Sequence, residues 1–494
     1  MLREENGTEG SQAASLVRLI TQDRFRAVGQ PLSACGDRIE AGPPSVVSCA
    51  GGKILSVETG VTPPGDAVGT VDAFLLPAFS DPHIHLVGAA VARLGEDLSR
   101  DPPRDLGELE ARVRAARVTG GWLRLSGFDE TCLGEGRAPT PRELDAWAPD
   151  RPLRIRHRTR HASLLNGAAV ARLRAAGVPL PEPVGAMFVN AEASLSRVLP
   201  PHSPAELGCA LDQLGAELLA AGIHAVDDVT ATNDAARVAL LAGAGLPQRV
   251  RAWLAHDADL DAAQAAAGGR IEIAGRKLLP TSAEEVESAG FREIVERARS
   301  EGLPLAVHAV EADVIAAVVN ILANAPPRRP GGPRGLDRLE HASLCPPELV
   351  ERIAAAGLGV VTQTSFLATR GAKYRAEVEA PLQDWLYPVA SLLEAGVPVA
   401  LSSDAPVAPP DPALSFETAT RRGAPPIGAC EAISAGAAFA CLVDGARRIA
   451  EEPAGAWSPG RPASFLVLGR DPRPDGFRDL DTLASCLAIR GDRS

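Results

Sequence analysis

The chain lacks the surplus of positive charge that nucleic acid and anionic membranes select. Its 50 Lys and Arg stand against 62 Asp and Glu, a formal net charge of −12. Both partners call for a basic face, so neither is expected. The start, "MLREENGTEGSQAAS", is polar and acidic and lacks the apolar core of a signal peptide. No apolar run approaches the roughly 18 residues of a membrane span, "AISAGAAFACLV" being the nearest. Eight cysteines are scattered with no CxxC pair, which argues against a disulfide framework and against a cysteine-based zinc site. Met and Tyr number two each, a bias of coding more than of physics. These absences lead us to expect a soluble cytoplasmic protein with free thiols.

What is present is ordinary globular material: 46% hydrophobic and 23% charged residues over 494 positions. That length suits two to four domains, or one large barrel with attachments. Residues 1–14 read as a disordered tail. Residues 15–76 and 456–494 hold short β-type runs broken by Gly and Pro, such as "SVVSCAGGKILSVETG" and "SPGRPASFLVLGRDPRPD". They read as one small β-sandwich domain built from both chain ends. Between them, 77–455 repeats a helix, a Gly, a short buried strand and a polar loop, as in "FREIVERARSEGLPLAVHAVEA" and "PVASLLEAGVPVALSSDAPV". Serial units of this kind predict an α/β fold with a parallel sheet closed into a (β/α)₈ barrel. The segment 95–205, rich in Pro, Gly and Arg, breaks the rhythm and reads as an insertion after the first barrel strand.

Barrel chemistry collects at the C-terminal ends of the strands. His83 and His85 follow "AFLLPAF", Lys277 follows "RIEIAGR", His308 ends "LPLAV", His341 ends "LDRLE" and Asp404 ends "VPVALSS". Successive gaps from Lys277 to His308, His341 and Asp404 are 31, 33 and 63 residues. A barrel averages about 30 residues per βα unit, so these are steps of one, one and two units. Asp404 then belongs to strand 8, His341 to strand 6, His308 to strand 5 and Lys277 to strand 4. His85 to Lys277 spans 192 residues, an excess matching the insertion. Residues i and i+2 of a strand share a face, so His83 and His85 both aim into the barrel mouth. Imidazoles with a carboxylate suit one or two divalent ions, Zn²⁺ first. Such a site lowers the pKa of water and supplies hydroxide. Lys277 fits this array if CO₂ carbamylates its amine.

The set "DPHIH", a strand-4 Lys, "VHAV", "LEHA" and "LSSDAPV" resembles the metal-dependent amidohydrolase superfamily. With "RHASLLNGAAV" and "SDAPVAPPDP" it is similar to the branch containing N-substituted formamide deformylase. The resemblance spans roughly 70–470. It implies His83 and His85 on a buried metal, Lys277 bridging, His308 and His341 on a second metal, and Asp404 as metal contact and proton shuttle. The implied activity is hydrolysis of a non-peptide carbon–nitrogen bond in an amide, formamide or cyclic amide. His308-Ala309-Val310-Glu311 departs from the branch and resembles the deaminases, which makes Glu311 a second acid/base candidate. Aminohydrolysis of a heterocyclic amine on one metal is the alternative chemistry, and a non-catalytic small-molecule binder on a degenerate barrel is the alternative class.

The cluster Arg156-His157-Arg158 reads either as a charged edge strand or as a basic lining for a substrate carboxylate. His161 and Asn166 match the "HA…LN" segment and are expected in the pocket with His157. Gln363 and Arg370, after strand 7, are expected to face the substrate. His202, His224 and His256 read as structural or exposed. A homodimer is the default assembly.

Overall fold

A computed structural model describes residues 18–20, 24–98, 101–158, 162–178, 187–189, 195, 198–199, 201–453 and 455–486. The tail over 1–14 and His161 lie outside them. Eight parallel strands form the central sheet: β1 (Phe79–Ile84), β2 (Ile223–Asp228), β3 (Arg249–Ala255), β4 (Ile271–Leu278), β5 (Leu305–Ala309), β6 (Arg338–His341), β7 (Gly359–Thr362) and β8 (Val399–Leu401). They are hydrogen-bonded in chain order. The seam between β1 and β8 is nearly closed, through a parallel bridge from Ile84 to Ala405. The Asp404 N–H donates to the His83 carbonyl at 2.8 Å, and the His85 N–H to the Ala405 carbonyl at 2.9 Å. The fold is the expected (β/α)₈ barrel, and Lys277, His308, His341 and Asp404 sit on or just past β4, β5, β6 and β8.

The repeat is built by local chemistry. The helix Pro204–Ala220 starts at a capping box of Ser203 and Glu206, which satisfies two otherwise orphaned N–H groups. The helices preceding β2, β5, β7 and β8 are each followed by a glycine at positive φ: Gly222, Gly302, Gly357 and Gly396. A side chain there would meet the left-handed penalty, so glycine lets the chain turn sharply into the strand. Outward strand residues such as Val226, Leu254, Val307, Leu339 and Val360 pack on helix residues including Leu214, Leu218, Val318 and Ile353.

Strands from both ends of the chain make one eight-stranded sheet, in which Phe465–Leu468 lies between Val68–Pro77 and Thr482–Cys486. A second sheet lies within the expected insertion. Its strands are Glu96–Asp97, Val118–Thr119, Trp122–Phe128, Leu153–His157, Ala162–Leu165 and Met187–Val189. It has its own core, with Leu109, Val113, Leu125, Phe128, Trp147 and Ile155. All eight cysteines are free. No helix of the described residues is long and apolar enough to cross a membrane.

His224 joins the terminal sheet to the barrel. Its ring lies 3.1 Å from Ser464 Oγ and 2.8 Å from Ser485 Oγ, and burial pushes its pKa down to about 3. The unfolded chain takes up a proton near pH 6.5 that the native state refuses, so stability falls as pH drops from there towards the folded pKa. The expected cost is about 2 kcal/mol between neutrality and pH ~5. Urea titrations of wild type and His224→Asn at both pH values test this. The variant should show the shallower acid loss; equal losses would exclude His224 as a contributor.

Candidate metal centre

The candidate ligands converge on the seam of the barrel. His83 Nε2 and His85 Nε2 lie 3.4 and 3.1 Å from the same oxygen, Asp404 Oδ1. Donor atoms of His83, His341 and Asp404 fall within 4.8 Å of one another. The His341 ring centroid is 4.8 Å from that of His83 and 4.7 Å from that of His308. Three of the imidazoles are anchored through Nδ1: His83 by Glu340 Oε2 at 2.5 Å, His85 by Thr230 Oγ1 at 3.2 Å and His341 by Gln363 Oε1 at 2.7 Å. Anchoring at Nδ1 leaves Nε2 as the inward donor, as in histidines that ligate metals. His341 and Asp404 also hold positive φ, 76° and 57°. Such backbone costs about 1–3 kcal/mol per residue and persists where the surroundings enforce it, often at functional sites.

The electrostatics call for a cation. Burial opposes charge on His83, yet Glu340 and Asp404 raise its pKa above the usual imidazole value. Burial also opposes charge on Asp404, but His83, His85 and His341 hold its carboxyl well below the usual range. His308 is pushed down to about 4, chiefly by burial and then by Lys277 and His83. Burial, followed by His83, keeps His341 well below the ordinary value. Two buried polar atoms face this cluster without a hydrogen-bond partner, Asp404 Oδ1 and Lys277 Nζ. An unsatisfied buried carboxylate oxygen is expensive unless something positive completes it. Inward imidazole nitrogens around that oxygen therefore fit a divalent ion. His83, His85, His308, His341 and Asp404 could hold it, with Lys277 joining if carbamylated.

Residues 71–475 match the amidohydrolase family. The chain belongs to that family. Over 466 residues the amidohydrolase is 26% identical to the putative amidohydrolase YtcJ of Bacillus subtilis (strain 168), covering 83% of this chain and 87% of that protein. It is 27% identical over 494 residues to N-substituted formamide deformylase of Arthrobacter pascens, covering 86% and 90%. An uncharacterized metal-dependent hydrolase from Pyrococcus horikoshii OT3 shares the fold, with a TM-score of 0.72 at 20% identity over 91% of this chain and 98% of that one. The protein is a metal-dependent hydrolase acting on carbon–nitrogen bonds.

Not every expected site residue of the amidohydrolase reaches the centre. Asn166, expected in the pocket, is wholly buried at the start of helix Gly167–Ala175. Its Oδ1 accepts from Ala169 N and Leu153 N, and its Nδ2 donates to the carbonyls of Ala148 and Arg151. It is a helix cap with every polar atom engaged. Gln363, expected to face substrate, is also wholly buried, donating to Ser402 Oγ at 2.8 Å behind His341. Arg370 does line the cleft over the barrel mouth, its guanidinium 4.5 Å from the Phe366 ring centroid. His157 lines the same cleft, 3.1 Å from Glu130 Oε2. Glu311 is exposed at the start of helix Ala312–Ala323. Among the described residues no hydrogen bond or ion pair ties it to the imidazoles.

Residues inside the strands, not only at their ends, support the centre. Beneath His83, Arg338 donates from Nε to Glu340 Oε1 at 2.7 Å, from Nη1 to Asp227 Oδ2 at 2.9 Å and from Nη2 to the Pro82 carbonyl at 2.8 Å. Its guanidinium lies 4.2 Å from the Trp253 ring centroid. Trp253 Nε1 donates to the same Asp227 oxygen at 2.9 Å. Asp81 ties β1 to the end of β8 by accepting from Ser403 Oγ at 2.5 Å and Ser403 N at 3.1 Å. The alternation Arg338-Leu339-Glu340, in a strand buried on both faces, is the signal that points inward: charges so placed must be paired.

Proposed function

We propose that the enzyme hydrolyses a non-peptide amide, an N-formyl or N-acyl amine or a cyclic amide, with Zn²⁺ and with Asp404 as proton carrier. The observation that carries this reading is the buried Asp404 Oδ1, which has no well-formed hydrogen bond and lies 3.4 and 3.1 Å from the inward Nε2 atoms of His83 and His85. The Arthrobacter relative, an N-substituted formamide deformylase, agrees with it. When bound, a divalent ion supplies Lewis acidity, polarising the carbonyl and acidifying water. Asp404 takes a proton from the attacking water at its other oxygen, Oδ2, and returns it to the nitrogen of the departing amine. The C–N bond then breaks with a neutral amine leaving.

Lys277 supports a two-ion form. Burial lowers its amine to about 8, with Arg338 adding to that and Glu340 and Asp404 opposing. Near neutrality a fraction of order one-tenth is free base, which can add to CO₂ and lose a proton to give a carbamate. Elemental analysis of the full chain, intact-mass spectrometry in bicarbonate and a screen of N-formyl and N-acyl amines test the proposal together. The expected outcome is two divalent ions per chain, the mass of one CO₂ on Lys277, and release of free amine. One ion with an unmodified lysine would exclude the bridge, and amide turnover that survives exhaustive chelation would exclude the metal-dependent mechanism.

A further inference from the structure

The cleft above the candidate metal centre has a volume of about 1590 Å³ and runs from His85, Thr230 and the loop Ala405–Pro410 to the sheet of the insertion. Ligand sites commonly occupy about 300–1,000 Å³, so the cleft holds more than the reacting amide. Among the described residues its lining has eight Arg and Lys against three Asp and Glu. The acids are committed: Glu217 pairs with Arg93, Asp129 with Arg158, and Asp97 is engaged as well. Of the other cations, Lys373 pairs with Glu377, and Arg124, Arg154 and Arg156 have partners. Arg237 and Arg370 are left, and among the described residues neither has a carboxylate partner.

Arg370 is the one that the fold holds in place. Its guanidinium lies 4.5 Å from the centroid of the Phe366 ring. Phe366 is buried and meets Tyr387 edge-on, with centroids 6.2 Å apart. The hydroxyls of Tyr387 and Tyr374 are hydrogen-bonded at 2.6 Å. Tyr374 lies beside the guanidinium, and burial raises its pKa, so it is a neutral neighbour. Glu311 acts on Tyr374 through its charge, but among the described residues no ion pair joins it to Arg370. The aromatic cluster includes Ala408, and Val407 packs against it. Both belong to the loop that leaves Asp404. The platform therefore sets Arg370 on the wall of the cleft next to that loop. An arginine lying over an aromatic ring keeps its rim of N–H donors open and has little side-chain freedom left to lose on binding. That planar fork matches the two oxygens of a carboxylate. Arg237, in the first turn of helix Ala235–Gly243, has no comparable support. Among the described residues no ring contact or hydrogen bond holds its guanidinium.

We infer that Arg370 binds a carboxylate of the substrate, close in the molecule to the scissile amide. The substrate class is then an N-acyl or N-formyl amine, or a cyclic amide, bearing an acid. The inference rests on the metal centre proposed above, which sets the position of the amide.

The test uses the metal-loaded full chain and short alkanedioic acid monohydroxamates of stepped length, each beside its neutral monocarboxamide. The hydroxamate seeks the metal, and only the acid offers Arg370 two anionic oxygens. At the best length calorimetry should show the acid bound about tenfold to a hundredfold tighter than its carboxamide, an advantage that shrinks with added salt. Arg370→Gln should bring that ratio towards one, Arg370→Lys should keep part of it, and Arg237→Gln should leave it in place. A ratio taken within one variant cancels any general loss of folded protein. Equal binding of acid and carboxamide at every length overturns the subsite. So does a preference that survives Arg370→Gln or vanishes in Arg237→Gln. The metal centre is judged apart, by the neutral carboxamide. Its binding should be lost on chelation, and binding that ignores the chelator overturns the centre. Failure of both compounds to bind overturns both.

Discussion

Asp404→Asn is expected to lower turnover by roughly a hundredfold to ten-thousandfold, the usual worth of a positioned acid/base. Divalent metal content should stay near that of the wild type. The expectation follows from what the substitution keeps and what it removes. Asp404 sits at a φ of 57°, a conformation that Asn tolerates about as well as Asp. The turn after β8 therefore survives, as does its N–H bond to the His83 carbonyl. The side-chain oxygen also survives as a neutral donor, beside four imidazoles that supply the rest of the set. What disappears is the ability to hold a proton. In the wild type the Asp404 side chain is buried. Burial alone would favour its neutral form, and the surrounding histidines outweigh burial to keep it ionised. An amide in that position accepts no proton at any working pH. Rates on one N-formyl amine, with metal per chain measured on the same samples, check this. A wild-type rate in the variant would remove Asp404 from the reaction.

The outer half of the centre was legible in the sequence because a barrel is a ruler. Each βα unit has nearly fixed length, so Lys277, His308, His341 and Asp404 fall on strand ends by counting, and the surplus before Lys277 locates the insertion. The inner half was not legible by the same means. Counting finds residues at strand ends, whereas Arg338, Glu340 and Asp227 lie one to three residues inside, where such barrels are usually packed with Val, Ile and Leu. Two errors had another source. Asn166 was read from its resemblance to a motif, although an Asn before "GAAVARL" is also a helix-cap signal, and the cap is what the chain forms. Gln363 follows its strand as a substrate contact would, but its partner is fixed by the neighbouring strand. His341 lies beside it in space, and no pattern within β7 reports that.

Glu340→Gln is expected to weaken divalent-metal binding by about tenfold to a hundredfold, the typical effect of removing a partner that orients a ligating histidine. Glu340 is fully buried. Its two oxygens are divided between His83 Nδ1 and Arg338 Nε. Burial would raise its pKa, but Arg338, His83 and Lys277 hold it well below the ordinary carboxylate range. The carboxylate therefore remains an acceptor on both sides and fixes the His83 proton on Nδ1, leaving Nε2 for the metal. A carboxamide offers one acceptor and one donor. If its oxygen stays with Arg338, its NH₂ faces His83 Nδ1, and the favoured tautomer reverses, putting the proton on Nε2. If its oxygen turns to His83 instead, the NH₂ meets the Arg338 guanidinium. Arg338 then keeps only Asp227 as an anionic partner. Breaking a buried ion pair costs about 3–5 kcal/mol when one charge is left uncompensated. Trp253 and the bonds to Asp227 and Pro82 should keep the loss towards the lower end of that range. Competition against a chelator gives the affinity, and urea denaturation of the metal-free chain gives the stability. Both should fall. A fall in stability alone, with affinity unchanged, would make Glu340 a structural counter-ion of Arg338 and nothing more. A fall in affinity with the same stability would put its whole effect in the orientation of His83.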